Sequence, residues 1–301
     1  MARTEGPSGP FRSLFRKRIY TRLSEGFDRS GSKILLPEAI ERTLDALHDF
    51  LREIKMFDVR TVRAVATGVV REALNRTEFL DRILERTGII VGLVSGEEEA
   101  LLTGKGALSA VNADEARSLV FDLGGGSTEF FFSGGSDPLI RSIPLGASIL
   151  TEEFIKSDPP QEKEIHSISR HVDRCLEDSM AGINYDGRDM PGRIIGTGGT
   201  VTTLGAMLFG IPLTALTHDS INGLILKREE LEALFSRIRN QGLGERMKLS
   251  GLDNQRARVI LAGSLVVIKI LDFFRSLHLT ASMSDLLEGI MIHHFEGEKN
   301  E

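Results

Sequence analysis

The chain has one cysteine, Cys175, in 301 residues. Neither an intrachain disulfide nor a cysteine metal cluster can form, and nothing points to an oxidising compartment, so a cytoplasmic location is expected. A basic surplus is also missing. The formal charge is −6, which argues against a general nucleic-acid binder while leaving open a polyanion held at a local patch. No apolar run approaches the roughly 20 residues of a membrane span, and the start, MARTEGPSGP, lacks the apolar core of a secretion signal. A soluble protein with no membrane partner is expected. The seven histidines are scattered apart from His293 and His294, which point apart as helix neighbours, so a hydrolase built on imidazole-bound metal is set aside. Tryptophan is absent, yet 41% apolar and 27% charged residues with 31 glycines are an ordinary globular composition.

What is present suggests two domains, each of roughly 100 to 200 residues. Residues 11–23, FRSLFRKRIYTRL, mix aromatic and β-branched positions with basic ones and read as a strand or hairpin arm. Pro37 opens a helix whose apolar residues Ile40, Leu44, Leu47 and Leu51 recur at helical spacing. A short buried strand, Val62 to Ala66, then leads through a Thr-Gly turn into a helix carrying Arg71. The logic repeats in the helix TEFLDRILERTG, the strand IIVGLVS and the helix GEEEALLTGKGALSAV. Such alternation means βαβ units and a largely parallel sheet. A second unit opens with SLVFDL and STEFFFS, two strands joined by a glycine turn, and PLIRSIPLGASIL adds a third. A helix over 161–180, the strand GRIIG, and helices at VTTLGAMLFG and over 228–240, 254–274 and 284–294 complete the pattern.

Two loops carry chemistry. In VFDLGGGSTEF the strand delivers Asp122 to its C-terminal end, and three glycines expose backbone N–H groups with no Cβ in the way, a cradle suited to phosphate oxygens. Ser127 and Thr128 add hydroxyls, while Asp122 and Glu129 offer hard oxygen ligands suited to Mg²⁺. A tight hairpin with Asp122 capping its turn is the plain alternative. The pattern recurs, however, in IIGTGGTVTTLGAM, where a strand ends in glycines and enters a helix whose N-terminal N–H groups favour anions. There is no GxxxxGKS/T lysine and no dinucleotide fingerprint, so backbone and metal must hold the phosphate. The third feature is LVSGEEEALLTGKG. Its glutamates either favour a helix N-terminus electrostatically or include a general base that activates a water for attack on phosphorus.

These stretches together, VRAVATGVVREALNR, VSGEEEALLTGKGA, VFDLGGGSTEF, IIGTGGT and RVILAGSLVVIKIL in that order, resemble the exopolyphosphatase and guanosine-pentaphosphate phosphohydrolase family, part of the actin, sugar-kinase and heat-shock-ATPase superfamily. The resemblance runs from about Phe11 onward and is more specific than any one loop, because sugar kinases share the glycine loops but lack SGxEEA. It implies an α/β fold of two ribonuclease-H-like, actin-like domains with an interdomain cleft, divided at 1–116 and 117–284, with 285–301 a C-terminal helix packing back on the first. It implies Mg²⁺-dependent release of terminal phosphate from polyphosphate, or of the 5′ γ-phosphate from the alarmone pppGpp. Glu99 then corresponds to the general base, and Asp122 and Glu129 to the acids flanking the phosphate loop. Gly124, Gly125, Gly126, Ser127 and Thr128 match that loop, and Gly198 and Gly199 fall in the next element. Arg71 matches a phosphate-contacting arginine, with a surface salt bridge as the other reading. A homodimer is a state the resemblance allows.

The chain departs from the family at its start, where no phosphate loop of the form Asp-Ile/Leu-Gly-Ser/Thr-Asn-Ser precedes Phe11. The first domain is therefore expected to be incomplete at its N-terminus, with an exposed sheet edge. In SMSDLLEG, Asp285 lies closer to LLEG than the family pattern places it, and a helix cap is its expected part. Arg12, Arg16, Lys17, Arg18 and Arg22 read as a solvated strand face, with guidance of a polyanion as the alternative. Two other functions stay open: a nucleotide-dependent phosphotransferase, which SGEEEA disfavours, and a sensor that binds polyphosphate or an alarmone without hydrolysing it.

Overall fold

The computed structural model describes residues 2–4, 11–27, 31–111, 117–133, 138–181 and 191–297. Residues 5–10, part of the stretch on which the expectation about the chain start rests, and the side chain of Arg12 lie outside the described residues. The chain divides into two compact units, Met1–Glu99 with Met291–Glu301, and Ala100–Ile290.

The first unit contains the antiparallel pair β1 (Ala2–Thr4) and β2 (Phe11–Ser13), then α1 (Pro37–Lys55), β3 (Ala64–Ala66), α2 (Gly68–Glu72), α3 (Arg76–Thr87) and β4 (Val91–Leu93). The proline at the head of α1 needs no hydrogen-bond partner for its nitrogen, and Arg52 and Lys55 sit in the last turn, where the helix dipole favours cations. The apolar stripe of α1 buries Ile40 and Leu44 against Val70, Phe79 and Ile83 of α2 and α3. Strands β3 and β4 pair in parallel. The arm expected over 11–23 is strand only at Phe11–Ser13; from Leu14 to Arg22 there is no regular structure, and Arg42 holds this stretch by donating from Nε to the Thr21 carbonyl at 2.9 Å.

Helix α4 (Gly96–Ala110) leads into the second unit, whose strands are β5 (Ser118–Leu123), β6 (Thr128–Phe132), β7 (Leu139–Ile143), β8 (Arg193–Thr197), β9 (Ile225–Lys227) and β10 (His278–Ala281). They form one six-stranded sheet in the order β7-β6-β5-β8-β10-β9. It is mixed, with β5, β8 and β10 parallel and the outer strands antiparallel. The unit's helices are α5 (Ala147–Phe154), α6 (Glu162–Ser179), α7 (Gly199–Phe209), α8 (His218–Ile221), α9 (Arg228–Ile238), α10 (Leu243–Arg246) and α11 (Ile260–Phe273); α12 (Leu286–Gly297) begins in this unit, and its residues from Met291 onward belong to the first. Helix α11 is apolar nearly all round, and its residues 260–268 are buried without a break, as such a helix must be. With α6 and α7 it covers the sheet face carrying Leu119, Phe121, Leu123 and Phe130.

Three expectations change here. The phrase PLIRSIPLGASIL is strand only to Ile143, after which ASIL opens α5. The helix expected from Asn254 starts at Ile260, preceded by turns. The sheet gains β9 and β10, short strands whose apolar residues are too few for a periodic signal.

The opposite sheet face carries Val120, Phe131 and Ile195, packed on Ala107 and Leu108 of α4. Helix α4 in turn meets α12 backbone to backbone: a Cβ on Gly289 would run into the Leu102 carbonyl, and one on Gly106 into the Asp285 carbonyl. Gly289→Ala is therefore expected to destabilise the fold by about 1–3 kcal/mol, read as a lower urea midpoint. Asp285 caps α12, its Oδ1 accepting the Leu287 N–H at 3.1 Å.

Candidate active site

The register of the second sheet aligns four polar residues in one row. Ser142 of β7 pairs with Glu129 of β6, Glu129 with Asp122 of β5, and Asp122 with Thr197 of β8. Directly paired residues project from the same face. The adjacent row on that face is the apolar Ile140, Phe131, Val120 and Ile195, so the polar row lies just beyond the core packed on α4. Glu129 is only 4% exposed and accepts a hydrogen bond at Oε1 from Ser142 Oγ at 2.9 Å. At the other end Thr197, fully buried, donates its hydroxyl to the Ser284 carbonyl at 3.1 Å.

Between β5 and β6 the glycine loop is closed by a bond from the Gly124 N–H to the Ser127 carbonyl at 3.0 Å. It is seated on the first turn of α5, where Ala147 N–H donates to the Gly124 carbonyl and Ser148 and Ile149 N–H groups to that of Gly125. In a trans peptide the C=O and N–H point opposite ways, so pinning these carbonyls to α5 turns the amides of Gly125 and Gly126 away from it. That is the orientation an anion cradle needs. Thr128 differs from expectation: it is wholly buried and its hydroxyl donates to the Leu145 carbonyl, so it anchors the base of the loop and offers no hydroxyl to a ligand. The Gly124 amide is likewise used within the turn.

The second loop follows β8. Gly198 adopts φ +90° and closes on the first, because a Cβ there would meet Asp122 Oδ1 at 2.5 Å and the Leu123 carbonyl at 2.7 Å. Gly199 begins α7. The half-buried Arg256 guanidinium lies directly over Gly199, in space that any Cβ would take. A cation thus stands at a helix N-terminus, where the dipole is unfavourable to it and where an anion would satisfy both.

In the first unit, the three adjacent glutamates divide their work. Glu98 completes a capping box with Ser95, accepting the Ser95 N–H at 2.8 Å while Ser95 Oγ accepts the Glu98 N–H at 3.0 Å. Glu99 faces elsewhere. Its side chain is 15% exposed and its Oε2 accepts from Arg71 Nη1 at 3.3 Å, the same nitrogen that donates to the Val94 carbonyl at 2.9 Å. Burial pushes the Glu99 carboxyl above the ordinary glutamate range, while Arg71 and a hydrogen bond from Thr67 pull the other way without cancelling it. Thr67 occupies the N-cap of α2 yet makes no cap bond there. The structure brings Arg71 to Glu99.

A model of the Ppx/GppA phosphatase family matches residues 2–297. The chain belongs to that family. Exopolyphosphatase 2 of Mycobacterium tuberculosis is 29% identical over 293 residues, spanning 94% of this chain and 90% of the relative. Among solved structures, the Aquifex aeolicus Ppx/GppA family member superposes with a TM-score of 0.82 at 28% identity, covering 99% of this chain and 93% of that one. An exopolyphosphatase from Cytophaga hutchinsonii gives 0.87 at 24% identity, covering 98% and 93%, which speaks to the fold. The mixed α/β architecture is thus the actin-like one of Ppx/GppA proteins, and membership makes the chain a phosphatase-type hydrolase. No helix among the described residues is long and apolar enough to cross a membrane.

Three features of this Ppx/GppA chain were missed by reading the sequence. Arg256 stands two residues before the RVILAG stretch, and nothing local marks it. Ser142 is one of many serines. The S-x-x-E capping box was legible in SGEE, and would have separated Glu98 from Glu99.

Among the described residues no group of three or more His, Cys, Asp or Glu is arranged for a metal. Two carboxylates side by side, Asp122 and Glu129, nonetheless fit Mg²⁺, which commonly takes one or two protein carboxylates and completes its shell with water and substrate phosphate.

Proposed function

We propose that this chain hydrolyses a terminal phosphoric anhydride, with inorganic polyphosphate as the principal substrate and the 5′ γ-phosphate of pppGpp as the second. The observation that carries this reading is Glu99, a largely buried carboxylate held by Arg71 at 3.3 Å, whose burial pushes it above the ordinary glutamate range, an environment that suits a general base. The family and the names of the exopolyphosphatase relatives support the substrate class.

In the proposed reaction, water attacks the terminal phosphorus in line, an O–P bond forms, and the bridging P–O bond breaks. Glu99 Oε takes the proton of the attacking water. The remaining phosphate chain leaves with the bridging oxygen. Arg71 holds the base and directs its remaining donors to the phosphoryl oxygens. The amides of Gly125, Gly126 and Ser127 bind the phosphate, and Gly199 with Arg256 binds an adjacent one. Asp122 and Glu129 would hold Mg²⁺, which when bound neutralises charge developing on the phosphate oxygens.

The test is phosphate release from polyphosphate and from pppGpp, side by side, with and without Mg²⁺. Release from neither substrate by the folded protein would contradict the reading. A pH profile adds a second check. Because Arg71 lowers the Glu99 pKa, Arg71→Gln should move the acid limb of kcat/KM to higher pH as well as reducing its plateau. An unmoved limb would detach Glu99 from that limb.

A further inference from the structure

Strand β7 forms one edge of the six-stranded sheet, and Ser142 lies on it, exposed to solvent, in direct register with the buried Glu129. Its one O–H is directed inward, to Glu129 Oε1 at 2.9 Å. A carboxylate at the end of a glutamate side chain rotates about its last torsion with little resistance. A donor fixed on one oxygen holds the carboxylate plane and sets the direction of its remaining lone pairs. Across the ladder on the other side stands Asp122, so the strand register places the donor and the second carboxylate on opposite flanks of Glu129.

We propose that Ser142 is a positioning residue: from the edge strand it fixes the Glu129 carboxylate, so that Glu129 and Asp122 together present oxygens to a divalent cation. This rests on the reading of Glu129 and Asp122 as the cation's protein ligands. The serine acts through Glu129, and it has no contact with substrate in the proposed reaction.

The full chain, without substrate, is titrated with Mn²⁺ alone, free Mn²⁺ being followed by electron paramagnetic resonance. The Mg²⁺ concentration giving half-maximal phosphate release is measured in parallel. Ser142→Ala is expected to weaken Mn²⁺ binding about tenfold to a hundredfold and to raise the Mg²⁺ requirement in step. Ser142→Thr keeps the hydroxyl and is favoured in a strand, so it is expected to restore both. Thermal unfolding of all variants reports whether the fold is retained, which the exposed position favours. Glu129→Gln separates the two layers of the argument. If Glu129→Gln leaves Mn²⁺ binding unchanged, Glu129 is no ligand, and the reading beneath the proposal falls with it. If Glu129→Gln weakens binding and Ser142→Ala does not, the role of Ser142 alone is overturned. Loss in both Ser142 variants would also overturn it, because the effect would then not follow the hydroxyl.

Discussion

Glu99→Gln is expected to lower kcat for phosphate release by about 10²–10⁴-fold while leaving the affinity for polyphosphate nearly unchanged, the signature of losing a general base that contributes little to binding. The substitution keeps shape and removes only the proton acceptor. The stability of the variant gives an independent check. Burial raises the folded pKa of Glu99 above the ordinary value of 4.5, so the fold prefers the protonated group. The sign follows from linkage: stability contributed by the protonated form is fully present below the unfolded pKa and is lost as pH rises through the folded one. Glutamine resembles the protonated form at every pH. Glu99→Gln is therefore expected to unfold no earlier than the wild type at neutral pH, with any advantage shrinking as pH falls toward 4.5. A variant that keeps phosphate release within tenfold, or that loses affinity instead of turnover, would contradict the assignment.

Gly198→Ala is expected to have the second large effect, on both fold and turnover. At φ +90° and ψ 170° the backbone lies in a region open essentially to glycine, which for alanine costs about 1–3 kcal/mol. The added methyl would also meet Asp122 Oδ1 and the Leu123 carbonyl, both inside contact distance. Asp122 must move, and with it the pairing that sets it beside Glu129. A lowered melting temperature together with at least a tenfold rise in the Mg²⁺ needed for half-maximal rate is the expected result. Gly210→Ala makes a useful comparison, because Gly210 also has a positive φ but a Cβ there meets nothing within 4 Å. It should cost stability alone.

Much of this was legible in the sequence because the signals are local. Alternating strands and helices announce the α/β class, and the glycine loops announce themselves by composition. The strand that carries Asp122 next to its last residue and the loop that follows it lie where the residues suggest. What the sequence could not give depends on register and on contacts between distant elements. That Ser142, Glu129, Asp122 and Thr197 share one row follows from how four strands pair, and a shift of one residue would scatter them. The burial of Thr128 is a consequence of the same alternation, since Asp122 and Glu129 face one way and Thr128 the other, toward Leu145. Arg256 reaches Gly199 from a turn 57 positions further along the chain, and no local pattern anticipates it. The division of labour between Glu98 and Glu99 lay within reach, because capping boxes follow a fixed spacing.

The central claim is that water, activated by Glu99, attacks a terminal phosphorus. Hydrolysis of polyphosphate in ¹⁸O-labelled water with Mg²⁺, followed by mass analysis of the released phosphate, tests it most directly. The account predicts one ¹⁸O in each phosphate released at early times, and release slowed about 10²–10⁴-fold in Glu99→Gln. Folded protein that binds polyphosphate and releases no phosphate, or that passes it to an acceptor without ¹⁸O incorporation, would contradict it.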